Sequence, residues 1–366
     1  MKNIFIASTT FPILIFYSIA LTYHPMEENI LFIVSDFAGS LKLADAISQQ
    51  RQSPFSNVYC LPGGYGRRTK LPRRFLNLII KAKNVLTIAN FVKKNQIKNV
   101  YSGNDADAEG QAMFYFVKKK NQYAQCISVE EGAGAYGSGP LREKKNFLEI
   151  FLAKIFYGWW WKEVRIGGTS PWVDKMMMRF PEFLRPEFRG KEIITIKRED
   201  FMRLKDNTLF LNYIRESSIT EKELNQINIL FALPHSGESD FFIAGERYKE
   251  LIKEILKLAQ GHKLKVAVKY HPREPFEDFL GVRREKVIIL PKALPMELFY
   301  LFSPDSLKFV IDDISSTLLT ARWLLNNNVR VISIAPMLNY YDRPLFEVFK
   351  KQKIELLDDL NSLFKV

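Results

Sequence analysis

The sequence predicts an α/β chain built as two Rossmann-like domains, and three observations support this. Short apolar or β-branched runs alternate with longer amphipathic segments along most of the chain, as in parallel sheets covered on both faces. The 366 residues, 47% of them hydrophobic, suffice for two cores of ordinary size. A polar, charged shift at residues 217–226 divides the alternation in two. The expected domains are 1–216 and 227–343, with 344–366 as terminal helices that pack back across the first domain.

The first elements need care, because Lys2, the run Ile4 to Ala7 and the run Phe11 to Leu21 could pass for a signal peptide or anchor. Ser8-Thr9-Thr10 interrupts the run, no small-x-small cleavage site precedes a mature start, and Ile30 to Val34 follows at once. The pattern is read as strand 3–7, helix 10–22 capped at Thr9 or Thr10, and strand 30–34, the first βαβ of a Rossmann-like domain. On this reading the chain keeps its N-terminus, carries no signal peptide and works in the cytoplasm. A helix through Ala44–Ile47 follows, then strand Val58–Leu61 ending in Pro62-Gly63-Gly64-Tyr65-Gly66. A helix from Phe75 to Lys94, strand Asn99–Tyr101, helix Ala108–Lys118 and strand 126–129 complete the regular part, and 176–186 shows no assignable pattern. Beyond the linker come strand Ile227–Leu233, helix 247–259, a strand ending at His271, strand Val287–Leu290, helix Met296–Phe302, strand 308–312, helix 316–326 and strand Val329–Ile334. Cys60 and Cys126 make no disulfide framework and are read as reduced, buried thiols. His24 and His262 are read as surface turns.

A formal charge of +13 and a pI near 9.4 call for a polyanionic partner. The charge is dispersed, with no RNA-binding signature and no zinc-ligand spacing, which favours an acidic glycan or an anionic membrane surface over nucleic acid. Residues 141–165 run from Phe147 through Tyr157 into Trp159-Trp160-Trp161 between lysines and arginines. That pattern suits a membrane interface, and equally a helix packed on the domain core, which is the expectation. Arg67, Arg68, Lys70, Arg73 and Arg74 are read as a solvated basic face.

Three apolar runs end in chemically useful residues. Lys265 to Lys269 leads to Tyr270-His271-Pro272-Arg273-Glu274, where the proline stiffens the presentation of one imidazole. Ile127-Ser128-Val129 ends in Glu130-Glu131-Gly132, where adjacent acids in extended chain point to opposite sides. Val310-Ile311-Asp312-Asp313-Ile314 ends in Ser315-Ser316-Thr317 before a helical pattern, and a helix start both takes hydroxyl caps and attracts phosphate. Two tempting motifs are set aside. Gly132 to Gly137 satisfies G-x-G-x-x-G, but an acid pair precedes it, Ser138-Gly139-Pro140 interrupts the helix start, and it is not the first βα turn. Asp105-Ala106-Asp107 matches a metal-binding Asp-x-Asp and is read as the N-cap of the following helix. His235, at a further strand end, and Glu297, at a helix start, are candidate lining residues.

The order of acid pair with glycine, His-Pro and Ser-Ser, each at a strand end, resembles the bacterial sialyltransferases, which carry Asp/Glu-Asp/Glu-Gly, His-Pro and Ser-Ser/Thr motifs. The lipooligosaccharide, capsule and polysialic acid groups look closest, through Val129 to Gly132 with Tyr136, and Tyr270 to Glu274. The resemblance implies the GT-B arrangement, two Rossmann-like domains facing a cleft. It implies an inverting, metal-independent transfer from CMP-sialic acid, with no further cofactor, to an acidic or lipid-linked cell-surface glycan. Peripheral contact with an anionic membrane is also expected, and no nucleic acid. By the same resemblance Glu130 is the base and Glu131 orients the motif or the acceptor. His271 binds or protonates the phosphate, Ser315 and Ser316 hold its oxygens, Lys269 contacts the nucleotide base and Glu297 the ribose. Gly132, Pro272 and Thr317 complete the donor-binding set. Two glutamates, where the family often has an aspartate, leave open which carboxylate reaches the acceptor. A transferase for CMP-Kdo or another nonulosonate, a GT-B enzyme using a UDP- or GDP-sugar, and a non-catalytic membrane scaffold are the competing expectations.

Overall fold

In the computed structural model, β1 (Lys2–Ala7), α1 (Thr10–Tyr23) and β2 (Glu28–Ser35) form the βαβ that the sequence predicts. The described residues are 1–64, 73–137, 144–217, 219–234, 239–274, 276–278, 280–285 and 287–364, with the side chains of 73–74 and 239–246 excepted. The basic segment 67–72 and the loop carrying His235 therefore lie outside the described residues. The apolar run that resembled a leader is buried from Phe11 to Ala20, the mark of a helix surrounded by core.

The first unit, Met1–Arg203, continues with α2 (Ser40–Gln49), β3 (Asn57–Pro62), α3 (Arg73–Lys94), β4 (Ile97–Ser102), α4 (Ala108–Lys120) and β5 (Gln125–Val129). α5 (Phe147–Tyr157), β6 (Lys175–Met178), β7 (Glu192–Thr195) and α6 (Arg198–Met202) complete it. Its strands pair in parallel in the order β3-β2-β1-β4-β5-β6-β7. Strand periodicity fills both faces. Ile4 and Ile6 join a core with Val85, Ile88, Met113 and Phe114. Phe5 faces the other way, stacked on Tyr101 at 4.7 Å and tilted against Phe16 at 5.4 Å. Part of α3, Phe75–Lys94, is long and apolar enough to cross a membrane by composition. Its middle residues are nevertheless tied into this unit: Asn84 donates to the Pro62 carbonyl and to Glu109, and Lys81 pairs with Asp107.

β6 and β7 are the strands the sequence did not reveal. Lys-Met-Met-Met and Glu-Ile-Ile-Thr are four residues each, and methionine carries no β-branched signature. Two smaller expectations are corrected. Cys60 is exposed because β3 is the edge strand, whereas Cys126 is buried. His24 is not a surface turn but is buried, its Nε2 at 2.8 Å from the Tyr101 hydroxyl and its Nδ1 at 3.2 Å from Glu27.

The second unit, Leu204–Val366, contains α7 (Thr208–Arg215), α8 (Glu221–Leu224), β8 (Ile229–Ala232), α9 (Ser239–Gly261), β9 (Val266–Lys269), β10 (Ile288–Leu290) and α10 (Met296–Leu301). β11 (Phe309–Asp312), α11 (Ser316–Leu324), β12 (Arg330–Ser333), α12 (Arg343–Lys351) and β13 (Glu355–Leu356) follow. Its parallel order is β10-β9-β8-β11-β12-β13. The division falls earlier than residues 217–226 because α7 buries Leu209, Phe210, Tyr213 and Ile214 and packs on α10, with the Tyr213 hydroxyl donating to Ala293 O at 3.2 Å. The polar shift read as a linker is a short helix closed by a Thr220–Glu223 capping box. Residues 344–366 are not helices alone, since β13 adds to β12 and Arg330 bonds both Glu355 and the Leu363 carbonyl. Both sheets reverse direction of winding at the strand that comes first in sequence, between β1 and β4 and between β8 and β11, where α/β folds hold ligands beyond the carboxyl ends.

Gly110, in the first turn of α4, passes so close to the preceding loop that a Cβ would stand 2.1 Å from Asn104 O. Alanine normally stabilises a helix relative to glycine. Gly110→Ala should instead destabilise the first unit by about 1–3 kcal/mol through overpacking, read as a lowered urea midpoint.

Candidate active site

The acid pair lies where β5 ends, and its two carboxylates diverge. Glu130 is 2% exposed and its oxygens receive four donors. Oε2 accepts the Tyr136 hydroxyl at 2.5 Å and the Arg179 backbone N–H at 2.8 Å. Oε1 accepts Arg179 Nε at 2.9 Å and Nη2 at 2.6 Å. Arg179 enters from the end of β6, the strand registered beside β5 through Val129 and Met177. Its guanidinium carbon lies 4.5 Å from the Phe11 ring centroid and 5.5 Å from that of Phe180. Burial, reinforced by the Glu130 charge, holds the Tyr136 hydroxyl well above its ordinary pKa, so it keeps its proton for Glu130 while its oxygen accepts the Phe180 backbone N–H at 3.4 Å. A carboxylate has about four lone-pair sites, and those of Glu130 are taken.

Glu131 is only half-buried, and its Oε1 receives the Thr9 hydroxyl at a long 3.3 Å. Glu130 is thus the fixed member of the pair and Glu131 the half-buried one. Gly132 has an extended φ of 173°, which requires no glycine.

A shallow open depression lies over the β1/β4 reversal, lined by Ser8, Asp36, Lys81, Ser102, Asn104 and Asp107 among others. The Asp-x-Asp motif is divided around it. Asp105 is fully buried and accepts the backbone N–H groups of Gly168 and Ser170, the latter at 2.9 Å, so it latches the loop 166–170. Asp107 holds the N-cap position but makes no side-chain cap bond; its carboxylate takes Lys81 Nζ at 3.4 Å. The N-cap expectation is therefore correct in position for Asp107 and wrong in mechanism.

In the second unit, His271 follows β9. The Arg273 backbone N–H donates to its Nδ1 at 3.1 Å, and Glu274 N–H donates to its carbonyl at 2.9 Å. A neutral ring whose Nδ1 accepts carries its proton on Nε2, so the turn after Pro272 selects the tautomer. Ser315 is the N-cap of α11 and accepts the Thr317 N–H at 2.9 Å, with Ser316 opening the helix. β9 and β11 flank β8, which sets the two strand ends roughly 10 Å apart across the sheet. Beneath Ser315 lies a pair whose role the sequence did not disclose. Asp312 is 1% exposed, accepts Asp313 N–H at 2.8 Å, and is pushed well above the ordinary carboxylate range by burial and by the charge of Asp313. Ser333 donates to the Asp313 carbonyl, fixing the turn that aims the serines.

Lys269 is placed differently from its expected contact with a nucleotide base. It is buried, and Nζ donates to the carbonyls of Tyr270 and Lys292, each at 3.0 Å. Burial lowers its pKa to about 7, against the opposing pull of Glu297, which opens α10 close by.

A family model of the alpha-2,8-polysialyltransferases matches residues 3–333, a span that holds all three motifs. The chain belongs to this family. Among solved structures, the fold of this family member is similar to an alpha/beta-galactoside alpha-2,3-sialyltransferase from Photobacterium phosphoreum, at TM-score 0.56 and 12% identity over 98% of this chain and 99% of that one. It is also similar to the GT-B domain of a sialyltransferase from Photobacterium damselae, at TM-score 0.52 and 13% identity over 97% and 99%. MnaA from S. aureus, solved with UDP, gives TM-score 0.50 and 14% identity over 91% and 79%. No curated protein matches the sequence. The fold is GT-B, and the family member is a glycosyltransferase that transfers sialyl groups.

Two outcomes test this geometry. Glu130→Gln leaves Arg179 buried without its counter-charge and should destabilise by about 3–5 kcal/mol, whereas Glu131→Gln should leave the thermal midpoint within about 0.5 kcal/mol of wild type. Lys269 binds fewer protons folded than unfolded between pH 7 and 10.5, so its penalty on folding is complete below pH 7 and is relieved as pH rises through that window. Relative to Lys269→Met, the wild-type protein should gain stability by up to about 1.4 kcal/mol per pH unit across it, measured by denaturant unfolding at several pH values.

Proposed function

We propose that this protein is an inverting, metal-independent transferase that moves sialic acid from CMP-sialic acid to a hydroxyl of a bacterial cell-surface glycan. The glycan is acidic or lipid-linked, of the lipooligosaccharide, capsular or polysialic acid kind, and the protein works in the cytoplasm at the membrane surface. The observation that carries the reading is the divergence of Glu130 and Glu131. A single displacement with inversion needs one general base and no carboxylate nucleophile beside it, and one carboxylate of the pair is locked away while the other is only half-buried.

In this reading Glu131 takes the proton of the acceptor hydroxyl as its oxygen bonds to the anomeric carbon. The bond from that carbon to the phosphate oxygen breaks, and the electron pair leaves with CMP. The His271 Nε2–H and the start of α11 at Ser315–Thr317 receive the charge on the departing phosphate. Glu130, with Arg179 and Tyr136, positions Glu131. Lys269 supports the strand end and reaches a base only after giving up a carbonyl. The dispersed positive charge, +13 overall, supports an acidic acceptor.

Thermal midpoints with CMP, UMP and GMP, each with and without EDTA, test the donor. A ligand at 100 times its dissociation constant stabilises by about 2.7 kcal/mol. A CMP-selective, EDTA-insensitive rise that His271→Ala abolishes is expected, with Glu131→Gln keeping the rise while losing about 10²- to 10⁴-fold in transfer rate. A rise with UMP or GMP alone would overturn the CMP-sugar assignment.

A further inference from the structure

α5 is held at its start by a capping box between Asn146 and Glu149, so it is a formed helix rather than a frayed one. Its inner side is anchored: Tyr157 meets Trp161 at 6.2 Å, and Phe156 meets Phe75 of α3 edge-on at 5.9 Å. Ala153 is nevertheless the one fully buried residue in it. Leu148, Phe151 and Ile155, at helical spacing, are exposed together with Phe147 (84%) and Trp159 (70%). The rings of Phe147 and Phe151 stack at 6.3 Å, and Phe151 meets Trp159 edge-on at 6.5 Å, so the side chains form a continuous strip. The packing on the domain core expected from the sequence is present through Ala153, Ile150, Tyr157 and Trp161, and a second apolar face is turned outward.

The rim of the strip is cationic. Lys144, Lys145, Lys162 and Arg165 are exposed at its two ends, and Lys154 lies 5.6 Å from the Trp159 ring centroid. Of the described acids in this stretch, Glu149 is committed to the cap and Glu163 to the Lys145 N–H. In sequence, Arg67, Arg68, Lys70, Arg73 and Arg74 precede Phe75, whose ring adjoins α5. A second copy of the chain is a poor occupant, because an isologous contact would set this basic rim against itself. An anionic bilayer answers both parts of the surface. Phenylalanine, leucine and isoleucine enter the acyl boundary, tryptophan sits at the headgroup level, and lysines reach the lipid phosphates.

We infer that α5 with Trp159 is a docking face for an anionic lipid bilayer. It specifies the surface of the membrane contact proposed above and stands independently of which donor or acceptor the protein uses. The test is flotation of the full chain with vesicles of phosphatidylcholine alone and of phosphatidylcholine with phosphatidylglycerol at about three to one, in about 0.1 M salt. Wild type should float with the anionic vesicles and much less with the neutral ones. Phe151→Ser with Trp159→Ser should lower the bound fraction at equilibrium about tenfold or more without moving the thermal midpoint. Lys144→Glu with Lys145→Glu should lower it comparably, with a weaker salt dependence. Wild type that stays with the soluble fraction, or an apolar double variant that floats as wild type does, would overturn the inference. A wild-type dimer at sedimentation equilibrium that the apolar variant dissolves would assign the face to a second copy instead.

Discussion

The buried pair of Glu130 and Arg179 joins the ends of two neighbouring strands, and much of the first unit's chemistry depends on it. A guanidinium and a carboxylate removed from water are tolerated only with near-complete hydrogen bonding, and the Tyr136 hydroxyl and the Arg179 backbone N–H supply what the side-chain pair leaves unmet. Phe11 and Phe180 beside the guanidinium keep water out. Glu131, beyond the end of β5, makes a different contact, its Oε1 accepting the Thr9 hydroxyl. One residue is committed to structure while the other stays half-buried.

The second unit uses backbone geometry for a comparable purpose. The turn after Pro272 places an N–H on His271 Nδ1 and thereby sets which ring nitrogen donates. Ser315 caps its own helix, so the helix start is ordered before any ligand arrives. Asp312, its carboxyl pushed well above the ordinary range by burial and by the charge of Asp313, accepts the Asp313 N–H and so supports that turn. On the proposed reading these devices serve a phosphate-bearing ligand. They carry no information about its base.

The sequence disclosed elements whose signal is local. An apolar run of about five residues broken by charge or glycine is a strand tip whatever surrounds it, and Glu130, His271 and Ser315 were found that way. It did not disclose pairings set by the sheet. Arg179 meets Glu130 from 49 residues away because β6 lies beside β5, and β6 itself is four residues without β-branching. Asp105 resembles a cap because the next helix starts three residues on, whereas its partners are Gly168 and Ser170. In α5 the face packed on the core and the outward apolar face share one sequence signature, so the sequence alone shows the first and not the second.

The central claim is that Glu131 is the general base and Glu130 its support. Rescue by formate separates the two, since a small external carboxylate can replace a lost base but cannot rebuild a buried clasp. Sialyl transfer should fall in both Glu131→Ala and Glu130→Ala, and formate should restore activity to Glu131→Ala alone. Restoration of Glu130→Ala, with Glu131→Ala unresponsive, would contradict the account and return the base to Glu130.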